Sequence, residues 1–161
     1  MGYITSPVNF SMMDKPILAE LSSKLIPVII FIIGLIISPL QALFLLIDYV
    51  FLGPLYKKIA FWSGLASNRP YHGNTQPRMD TNGMPSSHVS MAFLLASMNG
   101  FPPSLTILAI MTALQRYYFG LHTPAQLIVG AAIGCASGYA FNYVINNKDT
   151  IKDYILGKSY Y

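Results

Sequence analysis

From Val89 to Asn147 the chain reads VSMAFLLASMNGFPPSLTILAIMTALQRYYFGLHTPAQLIVGAAIGCASGYAFNYVINN. Only Arg116 and His122 are expected to carry charge near neutral pH in this run, and both fall at one break in it. The cluster Asn99-Gly100-Phe101-Pro102-Pro103 is a turn signal. A second interruption lies between Tyr117 and Thr123. Two breaks make three helices, over about 86–101, 103–120 and 124–145. A helix needs about 20 apolar residues to cross the ~30 Å hydrocarbon layer, so these segments suit a membrane.

Towards the N-terminus, Leu25 to Tyr56 holds one charge, Asp48. Ser38-Pro39 divides that region into spans over about 18–37 and 40–62, with Pro39 and Gln41 in the tight connection. The expected fold is therefore all-α, a polytopic transmembrane helix bundle of about five spans, with four to six allowed by the 18–62 region. The composition agrees: 53% of the 161 residues are hydrophobic and 10% are charged, against about 25% charged in soluble domains. One domain covers 1–161, with a polar lead-in (1–17), a site-side loop (63–85) and a polar tail (146–161). The first 24 residues carry Asp14, Lys15, Glu20 and Lys24 and lack the apolar core of a signal peptide. Met1-Gly2-Tyr3-Ile4-Thr5-Ser6 fits the bare myristoylation pattern.

The net charge of +4 is scattered rather than blocked, which gives no footing for nucleic-acid binding. The single Cys135 cannot form an intrachain disulfide. His72, Asp80 and His88 lack metal-ligand spacing, and no role is assigned to Arg78. No metal or cofactor is expected. Asp48 has no partner legible in the sequence. Trp62, Tyr117 and Tyr118 read as an aromatic interface belt.

His88 lies 14 residues before Pro102 and Arg116 lies 14 after it. At ~1.5 Å per residue both stand roughly 21 Å from the same turn. The following loop returns His122 to that level, and Arg69 opens onto the same side. One end of the bundle thus gathers Arg69, His88, Arg116 and His122, recessed below the interface, as suits a substrate with a lipid tail. Ionisable groups at membrane depth mark functional sites.

Each residue also has a plainer reading. Pro85-Ser86-Ser87 starts a helix, but capping does not require His88. A helix N-terminus binds phosphate, the hydroxyls of Ser86 and Ser87 add donors, and His88 can protonate a leaving oxygen. Arg116 at a helix end can snorkel, or grip two phosphate oxygens. His122 can be interfacial, or attack phosphorus as a neutral imidazole. Thr123-Pro124-Ala125-Gln126 is a capping box, yet Gln126 also stands four residues after His122, where its amide oxygen can hold the ring N–H.

These residues resemble the type 2 phosphatidic acid phosphatase superfamily, whose three blocks are Lys-x6-Arg-Pro, Pro-Ser-Gly-His and Ser-Arg-x5-His-x3-Asp. The second block reads Pro85-Ser86-Ser87-His88, the third Gln115-Arg116-x5-His122-x3-Gln126, and the first keeps Arg69-Pro70. Gly83 to His88 and His122-Thr123-x-x-Gln126-Leu127 are similar to dolichyldiphosphatases, which also carry Gln where most relatives carry Asp. That resemblance implies removal of the terminal phosphate of dolichyl diphosphate at the lumenal face of the endoplasmic reticulum, which recycles the carrier for N-glycosylation. The first-block lysine is replaced by Trp62, and Lys58, four residues earlier, is the candidate substitute.

The expected mechanism follows. His122 attacks the terminal phosphorus, Gln126 orients it, and His88 protonates the leaving lipid phosphate. Arg69, Arg116, Ser86, Ser87 and Lys58 hold the phosphate oxygens. Water then cleaves the phosphohistidine. One neutral and one charged histidine imply a bell-shaped pH profile. Five spans put the N-terminus on the lumenal, active-site side, which conflicts with cytosolic myristoylation. The rivals are a phosphatase for phosphatidate, a lysolipid phosphate or undecaprenyl diphosphate, a non-catalytic scaffold that binds lipid phosphate, and a small channel gated by His and Arg. Protein partners are not legible.

Overall fold

The computed structural model describes residues 15–70, 79, 81–148 and 152. The lead-in through residue 14, with the Met1–Ser6 pattern, lies outside the described residues, as do His72, Arg78, Asp80 and the rest of the tail. Five helices follow in order: α1 (Lys15–Ile37), α2 (Pro39–Trp62), α3 (Ser87–Met98), α4 (Pro103–Tyr118) and α5 (Pro124–Asn146). Among the described residues there is no strand beyond the single bridge between Asn68 and Asn82. The 18–62 region is thus two helices, broken at Ser38.

Proline sets three of the starts. Pro39, Pro103 and Pro124 each open a helix, where the missing N–H has no partner to lose. Inside α2, Asp48–Leu52 forms one wide π turn. Pro54 follows it and has no N–H to continue the regular ladder, and the wider turn makes room for its ring.

Among the described residues three helices, counted as Ala19–Ile37, Pro39–Trp62 and Pro124–Asn146, are long and apolar enough to cross a membrane. Their outward side chains, such as Val28, Ile32, Leu43, Phe51 and Ile128, are exposed, as lipid-facing positions must be. Helices α3 and α4 are shorter, at 12 and 16 residues. Helix α3 is the axis of the bundle: nine of its twelve residues are buried. It need not match the bilayer thickness, because its neighbours rather than lipid surround it.

Small residues bring α5 against α3. A Cβ at Gly130 would stand 2.7 Å from the Ser86 carbonyl oxygen. At Gly134 it would strike the Ser90 carbonyl, and at Gly138 the Ser97 hydroxyl. Lipid tails are as apolar as leucine, so helix association in a membrane depends on this kind of close van der Waals approach. Ser97 Oγ donates across the contact to the Gly134 carbonyl at 3.3 Å, and Asn142 Nδ2 donates to the Ser97 carbonyl at 3.3 Å. At the end away from the histidines, Gln41 and Asn99 exchange amide hydrogen bonds of 3.2 and 3.1 Å. Buried Asp48 finds its neighbour in Ser90 of α3.

Candidate active site

A cavity of about 310 Å³ opens at the other end of the bundle. Helix α2 lines it with Tyr49, Pro54 and Lys57, and α3 with Ser87 and His88. Arg69 comes from the long loop and His122 from the turn before α5. The close fit of α2 on α3 needs Gly53, where a Cβ would stand 3.2 Å from the Ser87 hydroxyl oxygen.

His122 is buried, and its Nδ1 lies 3.1 Å from Gln126 Oε1. The same oxygen accepts the Thr123 N–H at 3.1 Å. Gln126 Nε2 donates to the Ser67 carbonyl at 3.1 Å, to Ser67 Oγ at 2.9 Å and to the Asn68 carbonyl at 3.0 Å. The two carbonyls only accept and the Thr123 amide only donates, so the Gln126 amide fits one way round. Oε1 therefore faces His122, Nδ1 carries the proton, and Nε2 keeps its lone pair. Gln126 also completes the capping box with Thr123. Capping and ring orientation, alternatives in the sequence, are both present in one side chain. Burial first, then the Arg116 and Arg69 guanidinium groups, push the His122 imidazole down to about 3. The ring is therefore held neutral near neutral pH.

Buried Asn82 organises the loop that carries Arg69. Its Oδ1 accepts from the Ser67 and Met84 amides at 3.3 and 2.9 Å, and its Nδ2 donates to the Lys57 carbonyl at 3.1 Å. Gly83 lies flat on the Gln126 amide, where a Cβ would be 2.6 Å from Oε1. Asn82 carries no motif signal in the sequence, because it acts through backbone contact, whereas Gly83 opens the Gly83–His88 motif stretch.

Helix α1 closes the far side. His88 Nε2 is 2.8 Å from the Ser23 carbonyl oxygen, and Arg116 Nη1 donates to Ser23 Oγ at 2.9 Å. His88 and Arg116 thus stand at one depth, as the hairpin arithmetic requires. Arg116 is buried and does not line the cavity, though its charge acts on His122.

A family model for the PAP2 superfamily matches residues 49–149. That stretch is well over half of the chain and holds every residue that lines the cavity. The chain belongs to the PAP2 superfamily. No curated protein and no solved structure matches it. Membership gives this PAP2 protein a helical membrane fold and a phosphatase-type activity on a lipid phosphate. Helix α1, which touches His88 and Arg116, precedes the matched stretch.

Three residues of the PAP2 site expected to hold phosphate oxygens, Lys58, Ser86 and Arg116, do not line the cavity. Lys58 is exposed and absent from the cavity, whereas Lys57 lines it and donates to the Asn82 carbonyl at 3.5 Å. The four-residue spacing put Lys58 on the face of Trp62, and that face points outward: Trp62 is 76% exposed. Lys57, about 100° round the helix, takes the inward position. Ser86 does not reach the cavity either. It is fully buried at the cap of α3, with its N–H donating to the Gln126 carbonyl at 3.2 Å, and the hydroxyl at the cavity wall is that of Ser87.

Proposed function

We propose that this PAP2 protein removes the terminal phosphate of a polyprenyl diphosphate of the dolichyl type through a phosphohistidine. The observation that carries the reading is the bond from His122 Nδ1 to Gln126, which leaves Nε2 with its lone pair in a cavity shared with Arg69, Lys57, Ser87 and His88. Nε2 attacks the terminal phosphorus while the bond to the bridging oxygen breaks. The electron pair leaves with that oxygen, which takes a proton from His88. Arg69, Lys57 and Ser87 hold the phosphoryl oxygens as charge develops, the N–H groups at the start of α3 assist, and Arg116 adds positive charge. Water then attacks the phosphohistidine with His88 as base, releasing phosphate and restoring both rings.

The cavity is small, near the lower end for ligand sites, and so suits a phosphate head group with its lipid tail left in the bilayer. Gln126 in place of Asp supports the dolichyldiphosphatase branch over its relatives. In that reading the whole chain acts as a single domain, the site faces the lumen or the cell exterior (the endoplasmic reticulum lumen in a eukaryote), and the N-terminus lies on the same side. The scaffold alternative drew its support from the missing first-block lysine, and Lys57 supplies that charge.

The test is phosphate release by purified protein from dolichyl diphosphate, undecaprenyl diphosphate, phosphatidate and a lysolipid phosphate, with His122→Ala as control. The expected result is release from the polyprenyl diphosphates and none from the control. Preference for phosphatidate would move the substrate to another branch, and equal release by wild type and control would end the reading.

A further inference from the structure

Helix α1 has an interruption that the reaction above does not explain. Pro27 sits inside it. A proline has no N–H and cannot bond the carbonyl four residues earlier, which here belongs to Ser23. That carbonyl is the one that His88 Nε2 meets at 2.8 Å. A carbonyl only accepts, so Nε2 carries a proton and Nδ1 is left as the second proton site of the ring. The Ser23 hydroxyl donates to the Ala19 carbonyl at 2.7 Å and accepts from Arg116 Nη1 at 2.9 Å. One residue of α1 therefore touches both the proton donor and a guanidinium of the site. The neighbouring Ser22 Oγ takes the Gln115 amide at 2.6 Å, which fastens α4 to the same turn.

We propose that Ser23 is a positioning residue, and that Pro27 serves the site by leaving the Ser23 carbonyl free to fix the ring and tautomer of His88 while the Ser23 hydroxyl fixes Arg116. The proposal rests on the phosphatase reading for its kinetic consequence, but its structural half stands apart from activity. It also makes α1 part of the active site, although the family match begins beyond it.

Three variants separate the contacts. Pro27→Ala returns an N–H that competes for the Ser23 carbonyl and repairs the helix ladder. Ser23→Ala removes only the hydroxyl, and Ser23→Thr keeps it. The expected results are a fall in kcat of about tenfold for Pro27→Ala, the scale of one hydrogen bond, with KM little changed and thermal stability held or raised. Ser23→Ala loses activity and Ser23→Thr recovers it. Nitrogen NMR of the His88 ring, on protein without substrate, shows the Nε2-protonated tautomer in wild type and a mixture in Pro27→Ala. An unchanged tautomer in Pro27→Ala overturns the proposal, as does activity lost only in step with stability. If wild type releases no phosphate while the tautomer shifts as stated, the reaction is wrong and the positioning stands.

Discussion

The Gln126 side chain joins His122 to the loop that carries Arg69: its oxygen faces His122 Nδ1 at 3.1 Å, and its nitrogen holds the Ser67 and Asn68 carbonyls at 3.1 and 3.0 Å. An aspartate at this position would bind the ring more strongly but would have no proton for either carbonyl. The amide gives up some stabilisation of the imidazolium and gains a fixed loop. His122 and the loop that carries Arg69 are then placed by the same group.

Gln126→Glu tests this exchange. A charge-assisted bond to His122 is roughly twice as strong as a neutral one, so a carboxylate that served only the ring would raise kcat. The carboxylate also faces two carbonyl oxygens that have lost their donor, at about 1–3 kcal/mol for each buried group left unpaired. The expected outcome is a lower melting temperature in detergent and a kcat below wild type. A stable variant with higher kcat would show that the loop contacts are incidental.

His122 links folding to pH. Its imidazole sits at about 3 in the folded protein and near ~6.5 when unfolded. Between those values the unfolded chain binds a proton that the native state refuses, so stability rises with pH there and is lost as pH falls from about 6.5 towards 3. Melting temperatures at pH 7 and pH 4.5 should differ less in His122→Asn than in wild type. The acid limb of kcat/KM belonging to His122 is likewise expected below about pH 4 rather than near neutrality.

The two lysines provide a paired comparison. Lys57→Ala removes a cation from the cavity wall and is expected to lower kcat/KM by about tenfold or more, the scale of one charge-assisted hydrogen bond. Lys58→Ala alters an exposed position and is expected to leave turnover near wild type. Equal effects in steady-state assays would return the phosphate contact to Lys58.

Gly134 tests the bundle itself. An added Cβ meets the Ser90 carbonyl, which is backbone and cannot rotate away. Gly134→Ala is expected to cost about 1–3 kcal/mol by overpacking and to separate α5 from α3, with activity falling as the melt shifts. Gly64→Ala, in open space although at a φ of +74°, is expected to cost less. A melt for Gly134→Ala at the wild-type temperature would exclude close α3–α5 contact.

Much of this architecture was already decided in the primary structure. Apolar runs interrupted at Ser38-Pro39, Asn99–Pro103 and Tyr117–Thr123 determined five helices, because clustered turn residues end a helix by local backbone chemistry, whereas the lone Pro27 and Pro54 are carried inside α1 and α2. The capping box at Thr123–Gln126 and the meeting of His88, Arg116 and His122 at one level were equally local, following from helix rise and turn position. Helix rotation was not. Lipid-facing helices are apolar on every side, so hydrophobic pattern does not tell which face turns inward, and only packing chose Lys57 over Lys58 and Ser87 over Ser86. Folding likewise gave Gly130, Gly134 and Gly138 their contact with α3 and brought Ser23 beside His88, since both depend on partners distant in the chain.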